Sequence, residues 1–92
     1  MAERTLQVEN PTGLHARPAS LLVQAAQGFQ SDVTIVAPRG EGDAKSILDV
    51  LSLGVEAGQS ITLRTSGPDE VQALEALARL MKSGLGEDSK PI

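Results

Sequence analysis

Apolar and polar residues alternate through "RTLQVEN", which puts Leu6 and Val8 on one face. A period of two predicts a strand over about 3–9. "PTG" is turn chemistry. From Ala16 the period lengthens: Ala19, Leu22, Val23 and Ala26 recur at i, i+3, i+4 and i+7. That spacing predicts a helix over about 16–27, with Gly28 as its stop. "SDVTIVA" returns to alternation and predicts a strand over about 32–37, with Val33 and Ile35 inward. "PRGEG" is a tight connection, and a short strand near 40–44 would complete a hairpin. Ser46 followed by Asp49 resembles a capping box, Asp being a weaker third-position partner than Glu or Gln, and predicts a short helix over about 47–52. "QSITLRTSG" reads as a strand with Ile61 and Leu63 inward. "PDEVQALEALARLMKSG" is the clearest helix, with Leu74, Leu77, Ala78 and Met81 as its core stripe. Asp69 and Glu70 sit at its positive end, Lys82 at its negative end, and Gly84 stops it.

The order is strand, helix, strand, strand, helix, strand, helix. So few strands enclose nothing, and the helices must cover one face of a small sheet in a two-layer α+β sandwich. The other face then meets water, which favours an antiparallel sheet. The chain of 92 residues suggests one domain, residues 1–85. The polar segment "GEDSKPI", residues 86–92, reads as a mobile tail.

Composition narrows the function by exclusion. Phe29 is the only aromatic residue, so the core is aliphatic and no aromatic platform for base stacking exists. The formal net charge is −4, with no clustered basic run, which argues against nucleic acid. No apolar stretch approaches about 18 residues, so membrane insertion is not expected. "MAERTLQVEN" lacks the apolar run of a signal peptide, and the cytoplasm is the expected compartment. There is no cysteine, hence neither disulfide nor thiolate metal site. One histidine with scattered carboxylates gives no metal site either.

That histidine, His15, stands in "TGLHARPAS" just ahead of the first helical period. Backbone N–H groups of a first helical turn lack intrahelical acceptors and carry partial positive charge, a favourable seat for phosphate. Ala16 and Arg17 supply that backbone. The Arg17 guanidinium adds a planar fork of donors suited to phosphate oxygens. Pro18, without an N–H, fits a first turn. The residue before proline resists helical dihedrals, which points to Arg17 as the cap with His15 just outside. The positive surroundings disfavour the imidazolium, leaving a ring nitrogen as a nucleophile that could form a phosphohistidine. On spacing alone, a lone histidine is more often a surface residue or a satisfied hydrogen bonder. No G-x-S-x-G elbow accompanies it, so an acyl-transfer triad has no support. One reactive residue without a pocket suggests a carrier, not an enzyme with its own turnover.

"KSILDVLSLG" poses a second question. Ile47, Leu48, Val50, Leu51 and Leu53 are many apolar residues for so short a helix. Either all five are core, or Ile47, Leu48 and Leu51 stay outside as a docking patch. Ser46 is a common type of helix cap, and spacing alone gives it no further role.

"TGLHARPAS", "LLVQAA", "KSILDVLSLG" and the spacing between them resemble HPr, the histidine-containing phosphocarrier family of the bacterial sugar phosphotransferase system. The resemblance runs over about residues 3–85. It implies a four-stranded antiparallel sheet in order 1-4-2-3 with three helices on one face. It implies that His15 accepts a phosphoryl group from enzyme I, whose donor is phosphoenolpyruvate, and passes it to sugar-specific IIA domains. It further implies phosphate stabilisation by Arg17, partner docking through Ile47, Leu48 and Leu51, and kinase modification of Ser46. A serine kinase/phosphorylase and a catabolite-control transcription factor join the implied partners, with no cofactor and a monomeric chain. A purely regulatory module, as a serine-phosphorylated co-repressor or in a nitrogen-type phosphorelay, is the alternative. The family also has members that lack the active histidine and only regulate; His15 argues against that branch. Gln24, Gln27 and Asp49 stand where some relatives carry lysines, which weakens steering toward acidic partners.

Overall fold

Strand alternation becomes a two-sided sheet in the computed structural model, which describes residues 1–85. The tail assigned to 86–92 lies outside the described residues. In chain order the elements are β1 (Ala2–Gln7), α1 (Ala16–Gln27), β2 (Asp32–Ala37), β3 (Gly40–Asp43), α2 (Ile47–Ser52), β4 (Ser60–Ser66) and α3 (Glu70–Lys82). The four strands form one sheet in the order β1-β4-β2-β3, every neighbouring pair antiparallel. α1, β2 and α2 have the expected limits. β1 was expected to run to about residue 9 but ends at Gln7. Val8 remains buried and still bonds across to the turn before β4, donating to the Gln59 carbonyl at 2.8 Å and accepting from the Gly58 N–H at 2.8 Å.

Register explains why one face is dry. Leu6 opposes Ile61, and Ile35 opposes Leu63, so these side chains point to the same side. All are buried, together with Val33, under Leu22, Val23, Leu74, Leu77 and Met81 from the helices. The opposite face carries the polar phase. Thr5 and Thr62 share a hydrogen bond of 2.9 Å, and Arg64 Nε donates to Glu3 at 2.8 Å. β3, "GEGD", has no apolar side chain and is held by pairing with β2. Thr65 is a fully buried polar residue, and its hydroxyl donates to the Glu70 carbonyl at 2.8 Å. A buried hydroxyl without such a partner would cost about 1–3 kcal/mol.

The helix ends are closed in different ways. Gly28 follows α1 but keeps a right-handed φ of −75°, so the left-handed cap is absent there. Gly84 does form one: its N–H donates to the Met81 carbonyl, the Leu85 N–H donates to the Leu80 carbonyl, and Leu85 is fully buried. That is the Schellman pattern with its apolar contact. Asp69 caps α3 in position only. Its carboxylate accepts from the Gln30 and Ser31 N–H groups, each at 2.9 Å, and from the Ser31 hydroxyl, tying the loop after α1 to the start of α3. The Ser31 hydroxyl and the Gln30 amide hold the Asp69 carboxyl below its ordinary range. The amino terminus at Met1 and the Gly67 amide do the same for Glu70.

Candidate functional site

The approach to His15 is fixed from below. Leu14, one residue earlier, is fully buried, and its N–H donates to the Val55 carbonyl at 2.9 Å. Gly13 has φ +67°, and a Cβ there would stand 2.5 Å from the Val55 oxygen and 2.7 Å from Glu56 Cα. Glycine is therefore required both for the left-handed backbone and for the close approach. Asn10, also buried, donates from Nδ2 to the Gly13 carbonyl at 2.6 Å. The next residue, His15, is exposed. A rigid turn thus delivers one imidazole to the surface.

His15 is itself the N-cap of α1, with extended dihedrals (φ −111°, ψ 156°) and no side-chain bond to its own helix. Its carbonyl accepts from the Ala19 N–H at 3.4 Å and closes the first turn. The expectation that proline would shift the cap to Arg17 is corrected: Arg17 is within the helix, which starts at Ala16. Backbone strain falls on Ala16, whose φ of +37° is rare for a residue with a Cβ. Pro18 is buried and has no N–H, so Ala16 and Arg17 carry the outward backbone donors of this turn. No acidic residue stands in that turn, so nothing in it neutralises the positive helix end. Arg17 is exposed beside it. The assembly is one nucleophilic ring, one guanidinium and two open amides on the surface. His15 lines neither of the two clefts along α3. Among the described residues no group of carboxylates and histidine could hold a metal ion.

α2 divides its apolar residues in two. Val50 is fully buried and Leu53 nearly so. Ile47, Leu48 and Leu51 are exposed by 37%, 76% and 39%, which decides between the two readings of "SILDVLSLG" in favour of an exterior patch. Ser46 caps α2, its hydroxyl accepting from the Asp49 N–H at 3.3 Å. The reciprocal half of the capping box does not form. Asp49 is too short and accepts instead from the Asp43 N–H at 3.0 Å, while the Ser46 N–H goes to the Asp43 carbonyl.

Two contacts orient α2 against α1. Gln27, at the end of α1, donates to the Lys45 carbonyl at 3.0 Å; Val55, just after α2, holds Leu14 ahead of α1. The helices therefore run antiparallel. The Leu51 end of α2 lies toward His15, and Ser46 lies toward the far end of α1. A charge on Ser46 would act first on Ile47 and Leu48, the residues that follow it in α2.

A family model described as PTS-HPr, "PTS HPr component phosphorylation site", matches residues 2–83. The chain belongs to the PTS HPr family. Phosphocarrier protein HPr of Treponema pallidum is 41% identical over 88 residues, covering 96% of this chain and all of the relative. The crystal structure of HPr-C-His from Thermoanaerobacter tengcongensis superposes with a TM-score of 0.92 at 43% identity, over 96% of this chain and 99% of that one. A crystal structure of Crh, a catabolite repression protein of Bacillus subtilis described as a domain-swapped, intertwined dimer, matches with a TM-score of 0.72 at 42% identity, over 91% and 97%. HPr-family membership makes this a phosphocarrier fold with the four-stranded, three-helix architecture expected. Among the described residues no helix is long and apolar enough to cross a membrane.

Sequence reading missed the platform. "PTG" reads as a turn, but its anchoring by Val55 joins residues far apart in the chain. The one local signal was glycine two positions before the only histidine.

Proposed function

We propose that residues 1–85 are a phosphocarrier domain in which His15 relays a phosphoryl group from enzyme I to sugar-specific IIA domains during bacterial sugar uptake. The observation that carries the reading is an exposed histidine, unbonded to its own helix, beside Arg17 and the open, acid-free first turn of α1. In the accepting step a ring nitrogen of His15 attacks phosphorus of the donor's phosphohistidine. The new N–P bond forms as the donor's N–P bond breaks, and the donor imidazole leaves with that bond's electron pair. The Ala16 and Arg17 N–H groups and the Arg17 guanidinium then face the phosphoryl oxygens, where fixed donors stabilise charge without reorganising. Transfer onward is the same displacement with a histidine of the IIA domain as nucleophile. The chain holds one phosphoryl group at a time, needs no cofactor, and has no turnover of its own. It works as a cytoplasmic monomer.

Ile47, Leu48 and Leu51 dock the partners in this reading, and the partner supplies the walls the site lacks. Ser46 gives a second, regulatory reading a specific footing, because it caps α2 at the edge of that patch. A kinase-added phosphate there would bring about −1.5 to −2 charges to the patch, hindering docking to enzyme I and inviting a transcription factor that presents arginines. The test is incubation with enzyme I and radiolabelled phosphoenolpyruvate. Stoichiometric, acid-labile label that His15→Ala abolishes supports the relay. Label that survives acid, or that persists in the variant, rejects it.

A further inference from the structure

The positive residues of this acidic chain are unevenly placed. Arg4, Arg79 and Lys82 line one cleft of about 370 Å³, together with Glu75 and Ala78, on the flank where α3 covers the edge strand β1. The other described cations lie elsewhere: Arg64 pairs with Glu3, Lys45 donates to the Phe29 carbonyl, Arg39 lies over Gly54, and Arg17 stands in the first turn of α1. Among the described residues no carboxylate lies within 4.0 Å of Arg4, Arg79 or Lys82 in an ion pair. Arg79 and Lys82 can be explained by the helix macrodipole, since both stand in the last turn of α3. Arg4 cannot. It opposes Leu63, so it points to the helix side of the sheet, in the same phase as buried Leu6. Alternation calls for an apolar residue there.

Three like charges around one cleft repel each other, and a bound anion removes that repulsion. Among the described lining residues the three cations exceed the one carboxylate by two, which matches the charge of a phosphate monoester near neutral pH. Guanidinium forks suit its oxygens. The cleft is larger than a phosphate group requires, and among the described residues Ala78 is its only apolar lining residue, so the remainder of the ligand must be polar. Glu75 accepts hydrogen bonds from hydroxyl groups. We propose that this cleft, remote from the His15 chemistry, binds a small phosphate monoester with a hydroxylated body, a sugar phosphate in chemical class.

Backbone-amide NMR of the full chain, titrated at fixed ionic strength with glucose 6-phosphate, inorganic phosphate and glucose, is the test. Glucose 6-phosphate is expected to give saturable shifts at Arg4, Glu75, Arg79 and Lys82, with tighter binding than phosphate, while glucose gives none. Arg79→Gln and Lys82→Gln, each on the exposed surface of α3, should each weaken binding about tenfold, the loss expected of one charge-assisted hydrogen bond. Shifts at Ala16 and Arg17 report anion binding at the other site and should be unchanged in both variants, so either site can fail alone. Shifts that rise linearly without saturating, or that saturate equally in both variants, overturn the proposal. Equal affinity for phosphate and glucose 6-phosphate overturns the hydroxylated body. A melting curve of each variant confirms folding, and should one unfold, the other carries the test.

Discussion

Gly13→Ala should damage both stability and phosphoryl acceptance, by an amount the surroundings set. A non-glycine residue in the left-handed region costs roughly 1–2 kcal/mol. The added Cβ would also stand 2.5 Å from the Val55 oxygen, and both groups are backbone, so no side chain can turn aside. Relief requires the 10–14 segment to lift, which breaks the Leu14 N–H bond to Val55, worth about 0.5–1.5 kcal/mol net. The total is about 1.5–3.5 kcal/mol, a large share of a stability that is typically 5–15 kcal/mol. For a domain of this size each kcal/mol moves Tm by roughly 4–8 °C. Gly58→Ala is the control, because φ there is +90° but nothing stands within 4 Å of the added Cβ. Urea unfolding separates the two: Gly58→Ala should lose the strain term alone, and Gly13→Ala clearly more. Transfer from enzyme I should fall in Gly13→Ala and hold in Gly58→Ala. Equal losses in the two variants would refute the view that contact with Val55 seats His15.

Arg17→Ala should leave folding within about 0.5 kcal/mol, since the side chain is exposed, yet slow phosphoryl transfer about 10- to 100-fold; quench-flow kinetics with enzyme I measures this. Leu48→Asp should keep Tm, because Leu48 is 76% exposed, and weaken enzyme I binding in calorimetric titration. Ser46→Ala should cost about 1 kcal/mol in urea unfolding through loss of the α2 cap, whereas Ser46→Asp should retain a cap and accept phosphate from enzyme I more slowly. Asp69 and Glu70 have carboxyls held below their ordinary range, so the stability they contribute is present above the ordinary carboxylate range. It is lost as pH falls through their lowered folded values, and Asp69→Asn should flatten the acid side of a urea-midpoint profile.

Elements built on short-range periodicity were legible in the sequence. Val33 and Ile35, or Leu74, Leu77 and Met81, announce their buried faces because spacing alone decides which side they occupy. Even β3, with no apolar side chain, followed from the turn before it. Contacts between distant segments were not legible. Asp69 reads as a dipole partner of α3, but its oxygens are taken by Gln30 and Ser31, and nothing local to Asp69 indicates that loop. Similarly, Pro18 predicts a constraint on Arg17, yet Arg17 lies within α1 and the positive φ falls on Ala16. At the site, His15 and Arg17 were visible as chemistry and Ile47, Leu48 and Leu51 as an apolar surplus. Which of the five α2 residues face outward depended on how α2 lies against α1, and six residues are too few for periodicity to fix that face.

Phosphorus bound to His15 is the feature on which the relay stands or falls. Heteronuclear NMR of the chain, phosphorylated by enzyme I and phosphoenolpyruvate and held at neutral to alkaline pH, reads it as a scalar coupling between phosphorus and one nitrogen of a single imidazole. A coupling to the ring of His15, lost on addition of a IIA domain as the phosphoryl group moves on, is the expected result. Phosphorus resonances coupled to no imidazole nitrogen, or a His15 spectrum identical before and after enzyme I treatment, would contradict it.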